Sequence, residues 1–178
     1  MLHDPGGTAL ELMARLENIE ARDTIRKLKA AYMQGLDDRR RGEVATLFWP
    51  DAIWEALPDR VPEGAASATG GSQTVGADAI ADSFVAAASA MSFTAHFLTN
   101  EDITVDGDTA LGRWKLLQAC TATDGPAFWQ AGVYTDTFTR RDGVWKFSHL
   151  RLAMDFRTPF SEGWSAVRMW ELPMEGAR

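Results

Sequence analysis

Three Asp-Gly pairs in the second half of the chain constrain its fold more than any other feature. They are Asp106-Gly107, Asp124-Gly125 and Asp142-Gly143. An Asp-Gly pair between stretches rich in β-branched and aromatic residues is typical of a tight hairpin turn. The three turns therefore predict a meander of four antiparallel strands. We place these strands at residues 93–105, 109–122, 127–140 and 144–157.

The first part of the chain shows helical periodicity instead. Thr8 followed by Glu11 has the spacing of a capping box, which commonly starts a helix. Two apolar stripes with helical spacing follow, and they fit either one bent helix or two helices joined near residues 21–23. This helical region should end near residues 37–41.

A short helix, a strand and a loop are predicted between the two halves. The helix includes Phe48 and should stop at Pro50, because proline cannot continue a helix. Residues 52–57 read as a strand, and residues 58–74 are rich in Pro, Gly, Ala and Ser, which indicates a loop. Gly76 precedes a further helix.

Charge and composition exclude several classes of partner. The net charge is −7 and the pI is about 4.9, whereas a nucleic-acid-binding protein needs a basic face, so no nucleic-acid partner is expected. Cys120 is the sole cysteine, which excludes an internal disulfide and a thiolate metal site. No apolar run of about 18 residues occurs, so we expect no membrane partner and a cytoplasmic location. Seven Trp and nine Phe offer flat surfaces that suit ring-shaped ligands.

The order of the elements resembles the nuclear-transport-factor-like cone fold, and three stretches are similar to its SnoaL-like branch. They are IRKLKAAYMQGLDDRRRGEVATLFWPDAIWE (25–55), TAHFLTNEDITVDGDTALGRW (94–114) and YTDTFTRRDGVWKFSHLRLAMDFRTPF (134–160). The resemblance implies a fold of the α+β class. The expected shape is a cone-shaped α+β barrel, with N-terminal helices packed on a strongly curved antiparallel sheet.

We expect one domain with a short extension at each end. Residues 1–9 should form a flexible tail, residues 10–160 the SnoaL-like domain, and residues 161–178 a C-terminal extension. Trp164 and Trp170 make this extension too apolar to stay in solvent, so it should pack on its own domain or on a neighbouring subunit. The resemblance implies a homo-oligomer, either a dimer or a trimer.

His96 and Asp37 are the first candidates for chemistry. On an alternating strand His96 shares a face with Thr94 and Leu98, and spacing alone fits a core histidine as well as a catalytic one. Asp37 lies at a predicted helix C-terminus, where a carboxylate opposes the helix dipole at a cost of roughly 0.3–1 kcal/mol. The resemblance implies more, because dehydratase-like members carry their base on the T-x-H-F-x-T-N strand and orient it with an Asp at the position of Asp37.

Tyr32 and four further aromatic residues are candidates for contact with the substrate. Tyr32 precedes Asp37 by five residues, about 140° on an ideal helix, so both reach one cavity only if the helix ends or distorts between them. Core packing explains Tyr32 equally well, while the resemblance implies a donor to substrate oxygen. Strand residues expected to line the cone and bind substrate are Trp54, Trp114, Trp129 and Tyr134.

The resemblance, together with these residues, implies a cofactor-independent lyase. His96, oriented by Asp37, would remove a proton from a hydrophobic, hydroxylated, ring-containing small molecule, and Tyr32 would polarise an oxygen. Water is the expected leaving group, with a one-carbon aldehyde as the alternative. The resemblance gives little support to loss of halide, because the last-strand position at which halide-eliminating members carry a cationic side chain is near Leu150.

Two other functions fit the same residues. One is an isomerase or cyclase, which returns the proton elsewhere on the substrate, and the other is a small-molecule-binding module without catalysis. No metal site is predicted, because His96 has no second ligand at a usual spacing. No cofactor is expected either.

Overall fold

Within residues 5–60 and 71–171, which the computed structural model describes, the chain forms three helices and six strands. This is the α+β class that the sequence predicts. The elements are α1 (Pro5–Asp37), α2 (Arg41–Thr46), β1 (Phe48–Ala56), β2 (Ser72–Val75), α3 (Ala77–Ser89), β3 (Met91–Asp106), β4 (Thr109–Ala122), β5 (Ala127–Arg141) and β6 (Val144–Pro159).

All six strands belong to one curved sheet with the order β2-β1-β6-β5-β4-β3. The last four strands form the predicted antiparallel meander. The sheet as a whole is mixed rather than antiparallel, because β1 pairs with β6 in the parallel direction. The edge strands β2 and β3 do not pair with each other in the described part of the chain, so the sheet curves without closing into a barrel.

The turn between β5 and β6 shows why an Asp-Gly pair predicts a hairpin. Asp142 and Gly143 have φ values of 50° and 78°, and the flanking residues Arg141 and Val144 are paired across the two strands. Two successive residues with positive φ match the right-handed twist of the strands that they join. Asp and Gly tolerate this conformation better than other residues.

Two expectations for the middle of the chain need correction. Phe48 and Pro50 belong to β1 and not to a helix, since α2 already ends at Thr46. Proline is tolerated there because the pairing of β1 with β6 is irregular between Phe48 and Ile53, where no ladder hydrogen bond from Pro50 is needed. The predicted loop also contains a strand, β2, at its end, while residues 61–70 of that loop lie outside the described residues.

The first helical region is one helix, α1, which ends at Asp37 as predicted. It begins at Pro5, so residues 5–9 of the expected tail are helical, and residues 1–4 lie outside the described residues. Its second half packs on the sheet, where Ile25 and Tyr32 are fully buried. None of the described helices combines the length and the apolar character needed to cross a bilayer.

Aromatic rings fill the space between α1 and the sheet. Tyr32 lies edge-on to Phe48 at 5.7 Å between ring centroids, and Phe147 stacks on Phe48 at 4.9 Å. Further along, Trp164 of the C-terminal extension stacks on Phe156 of β6 at 5.0 Å between ring centroids. The part of this extension from residue 172 onward lies outside the described residues.

Candidate active site

A cavity of about 780 Å³ lies between the helices and the inner face of the sheet. Its size falls within the range of roughly 300–1,000 Å³ that is usual for small-molecule sites. All three helices and all six strands contribute to its wall. Much of the lining is apolar and includes Leu36, Ala81, Phe84, Leu152 and Met154.

His96 lines this cavity and is held by Asp37 through two hydrogen bonds. The imidazole Nδ1 lies 2.6 Å from Asp37 Oδ1, and the backbone N–H of His96 donates to Asp37 Oδ2 at 2.9 Å. The His96 side chain is 7 % exposed and that of Asp37 is 25 % exposed. Asp37 itself is not among the lining residues, so it stands behind the imidazole. The two residues are therefore brought together as the sequence analysis expects.

The way α1 ends places Asp37 against β3. Arg39 follows the helix in the left-handed region at φ 60°, a conformation that costs a non-glycine residue roughly 1–2 kcal/mol. Its guanidinium donates to Met91 O at 3.0 Å and to Thr94 Oγ1 at 3.3 Å, both on β3. These hydrogen bonds offset the backbone strain and tie the helix end to the strand that carries His96.

The electrostatics of the pair determine which imidazole nitrogen is free. Burial raises the pKa of Asp37, but the hydrogen bonds from His96 outweigh it and hold that pKa below its ordinary value. Asp37 is therefore a carboxylate near neutral pH, and a carboxylate only accepts hydrogen bonds. The proton of the neutral imidazole must then be on Nδ1, which leaves Nε2 of His96 with a lone pair for a substrate proton.

Tyr32, Trp54 and Tyr134 also line the cavity, as expected for residues that contact a substrate. The Tyr32 hydroxyl and the Trp54 indole N–H are both buried and lie near each other and near Tyr134, but neither makes a hydrogen bond of ordinary geometry among the described residues. Burial raises the pKa of Tyr32 well above its ordinary value, so the hydroxyl keeps its proton. A bound molecule with an oxygen atom at this place would satisfy both donors.

Trp114 and Trp129 do not line the cavity, contrary to expectation. Trp129 is adjacent to the lining residue Gln130, and neighbouring residues of a strand point to opposite faces of the sheet. Trp114 is on the inner face but is packed into the core, 6.2 Å from Phe138 and 5.3 Å from the Lys29 ammonium group. Its ring therefore belongs to the core between α1 and the sheet.

A buried ion pair that the sequence analysis does not identify lies beside the cavity. Lys29 Nζ is 2.8 Å from Asp136 Oδ2, and the two side chains are 1 % and 0 % exposed. The ammonium group also lies 3.3 Å from the centre of the Tyr134 ring. Burial lowers the pKa of Lys29 to about 8, and burial raises the pKa of Asp136. Helical spacing could have identified it, because Lys29 lies four residues after Ile25 and three before Tyr32, on the apolar stripe of α1, whereas the exposed Lys27 does not.

Polar side chains on the cavity wall were missed as well. Gln118, Gln130 and Arg157 all line the cavity. Each lies on a predicted strand, but only the register of strand pairing reveals that they are neighbours. A second His–carboxylate pair, His149 Nε2 to Glu55 Oε2 at 2.8 Å, lies outside the set of lining residues.

Metal binding finds no support in the part of the chain that the structure describes. No group of three or more His, Cys, Asp or Glu side chains there is arranged to hold a metal ion. The functional groups that face the cavity are instead an imidazole, phenol and indole donors, two amides and guanidinium groups. These groups can transfer a proton and bind oxygen atoms.

Helices over a strongly curved open sheet, with an apolar cavity between them, define the nuclear-transport-factor-like cone fold. The chain belongs to the SnoaL-like domain family of this fold, whose family model matches residues 17–151. The expected family is therefore confirmed.

Similar proteins and solved structures are consistent with this family. Hexachlorocyclohexane dehydrochlorinase 1 of Sphingobium indicum is 30 % identical over 154 residues, covering 84 % of this chain and 91 % of that protein. The solved structure of hexachlorocyclohexane dehydrochlorinase LinA-type3 from Novosphingobium barchaimii has a TM-score of 0.69 at 26 % identity, covering 87 % of this chain and 97 % of that one. A scytalone dehydratase-like structure from Novosphingobium aromaticivorans has a TM-score of 0.64 at 25 % identity, covering 90 % and 96 %.

Proposed function

We propose that this chain is a cofactor-independent lyase that eliminates water from a hydroxylated aromatic or polycyclic small molecule. The observation that carries the proposal is the 2.6 Å hydrogen bond between His96 Nδ1 and Asp37 Oδ1, with the imidazole at the wall of an apolar cavity. The relatives support the reaction type, because dehydrochlorinases and dehydratases both eliminate a small molecule from a carbon skeleton.

The proton transfers follow from the orientation of the imidazole. His96 Nε2 takes a proton from a substrate carbon, and the C–H electron pair forms the new double bond while the neighbouring C–O bond breaks. The Asp37 carboxylate stabilises the imidazolium that forms, as the acid of a catalytic triad does. The imidazolium returns its proton to the departing hydroxyl, so water leaves and His96 regains its neutral state.

Tyr32 supplies a hydrogen bond in this scheme. Its hydroxyl is protonated and buried and makes no hydrogen bond of ordinary geometry among the residues described, so it can donate to a substrate carbonyl or hydroxyl. A donor that is already fixed in an apolar site stabilises developing negative charge more than water does. Leu150, near the position of the cation in halide-eliminating members, is fully buried in the core, which favours water over halide as the leaving group.

This function can be tested by mass spectrometry of the products after the protein is incubated with a panel of hydroxylated aromatic and polycyclic compounds. We expect a product lighter by one water, or by one formaldehyde from a hydroxymethyl compound. His96→Ala and Asp37→Asn should each lower kcat by roughly 10²–10⁴-fold, the usual contribution of a general base and its orienting group.

The second His–carboxylate pair provides a matched control. His149→Ala removes an imidazole that also contacts a carboxylate but does not line the cavity, so this variant should retain wild-type turnover. Conversion without a change of mass would indicate an isomerase or cyclase instead. Tight binding of ring compounds with no conversion at all would indicate a binding module.

A further inference from the structure

Four neighbouring strands carry polar side chains in a single line across the cavity wall. His96 of β3 is paired with Gln118 of β4, Gln118 with Gln130 of β5, and Gln130 with Arg157 of β6. All four residues line the cavity. The line therefore begins at the imidazole and ends at a guanidinium group three strands away.

Hydrogen bonds connect three members of this line in one direction. Arg157 Nε donates to Gln130 Oε1 at 2.9 Å, and Gln130 Nε2 donates to Gln118 Oε1. Because each amide oxygen accepts, both amide groups are oriented with their NH₂ ends toward β3. These two hydrogen bonds hold the guanidinium of Arg157 against the cavity wall that also carries His96.

The guanidinium of Arg157 retains donors for a ligand. Its hydrogen bond to Gln130 uses Nε, one of five N–H donors, and does not occupy the two terminal amino groups. Burial lowers the pKa of Arg157 and the Asp59 carboxylate acts in the opposite direction, but an arginine stays charged in proteins. The Asp59 carboxylate compensates part of the cost of burying this cation, and an anion in the cavity would compensate it further.

We propose that the substrate of this site carries a carboxylate group, which the terminal amino groups of Arg157 bind in bidentate fashion. This inference rests on the proposed function, since it concerns the same cavity. A planar carboxylate matches the planar fork of a guanidinium. Three strand spacings of about 4.8 Å separate the backbones of His96 and Arg157, which leaves room for a ring system between the carboxylate and the reacting carbon.

The inference can be tested by isothermal titration calorimetry, which measures the equilibrium binding of 6-hydroxy-2-naphthoate and of its neutral methyl ester. The two probes share the ring and hydroxyl but differ in charge at the other end. Wild-type protein should bind the carboxylate roughly tenfold more tightly than the ester, the usual effect of a charge-assisted hydrogen-bonded pair. Arg157→Met should abolish this preference and leave the affinity for the ester almost unchanged.

Two further variants make the result specific. Arg113→Met removes the same charge from an exposed position on β4 and should keep the tenfold preference. Arg157→Gln also removes the charge but retains a hydrogen-bond donor for Gln130. It tests the carboxylate preference in place of Arg157→Met if thermal unfolding of that variant is not cooperative. An unchanged carboxylate preference in either folded variant at position 157 overturns the proposal.

Binding and turnover separate this inference from the proposed function. His96→Ala should retain the carboxylate preference although its turnover is lost. If Arg157 controls the preference while no compound is converted by the wild type, the lyase proposal fails and the carboxylate site stands. If turnover depends on His96 but the Arg157 variants still prefer the carboxylate over the ester, the carboxylate site is wrong and the lyase proposal stands.

Discussion

The hydroxyl of Tyr32 shows how a single buried atom can indicate function. Four aromatic rings surround Tyr32, yet its oxygen makes no hydrogen bond of ordinary geometry in the described ranges 5–60 and 71–171. Leaving a buried polar group unsatisfied typically costs about 1–3 kcal/mol of stability. Because this donor lies on the cavity wall, it is available to a bound ligand, as the proposed function requires.

Replacement of Tyr32 by Phe tests this explanation. We expect kcat/KM for the water elimination to fall roughly 10–100-fold, because the substrate loses one fixed donor in an apolar site. The free energy of unfolding should stay the same or rise slightly, because the removed hydroxyl makes no hydrogen bond of ordinary geometry in the described part of the folded protein. Turnover assays and urea unfolding measure the two effects. Loss of stability without loss of turnover would assign Tyr32 to the core alone.

Residue types were easier to predict than residue positions. Spacing alone left His96 and Asp37 open to a structural explanation, and the resemblance to dehydratase-like members singled them out; their side chains are 2.6 Å apart. Trp129 could not be placed, because the register of pairing decides which face of β5 it occupies, and Trp114 could not, because it faces inward but is packed into the core. Each shift by one residue exchanges the faces of a strand.

At the level of elements, the Lys29–Asp136 pair joins α1 to β5. Asp136→Asn should lower the free energy of unfolding by about 3–5 kcal/mol, because it leaves a buried ammonium group without its carboxylate. The double variant Lys29→Met/Asp136→Leu should lose far less, since apolar side chains can fill the same space. Asp51→Asn, which breaks the exposed pair with Arg141, should leave the urea midpoint nearly unchanged.

The same pair predicts how stability changes with pH. Lys29 has a pKa of about 8 in the folded protein, below the value of about 10.4 in an unfolded chain. The unfolded chain therefore binds more protons between these values, so this group makes the free energy of unfolding rise with pH across that window. Comparison of wild type with the double variant isolates the effect, because both retain Tyr32 and Tyr134. The prediction is wrong if the difference in the free energy of unfolding between wild type and the double variant does not change between pH 8 and pH 10.

Elements with local signals were predicted well, and elements that depend on distant partners were not. The Asp-Gly turns located β3 to β6 because a hairpin is encoded where the chain turns. The strand β2 has no such signal, since Ser72–Val75 becomes a strand only by pairing with β1. The parallel contact of β1 with β6 joins distant parts of the chain, and local patterns carry no information about it.

For the molecule as a whole, the outer face of the sheet suggests self-association. Phe97 and Leu117 are cross-strand partners on β3 and β4, and they are 52 % and 41 % exposed. Phe93 and Leu111 are further exposed apolar residues on the same two strands. An exposed apolar patch is often an interaction surface, so we propose that the chain forms a homo-oligomer through this face.

Light scattering after size-exclusion chromatography tests the assembly. The wild type should elute at two or three times the chain mass of 19.6 kDa, and Phe97→Glu/Leu117→Glu should elute at the mass of one chain. Val144→Glu places a charge on an equally exposed apolar residue at the β5–β6 turn and should not change the mass. A wild type that elutes as a single chain would contradict the proposal.

The parallel contact between β1 and β6 has a consequence for how the molecule folds. The hairpins from β3 to β6 can form from segments that are neighbours in sequence. In contrast, β1 can pair with β6 only when the last strand of the domain is in place. Contacts between distant segments form slowly, because their loop-closure entropy is lost before they are made. We therefore expect Trp54 of β1 and the paired strand β2 to join the cavity wall late in folding. A molecule held in the cavity should accordingly slow unfolding while leaving the folding rate almost unchanged.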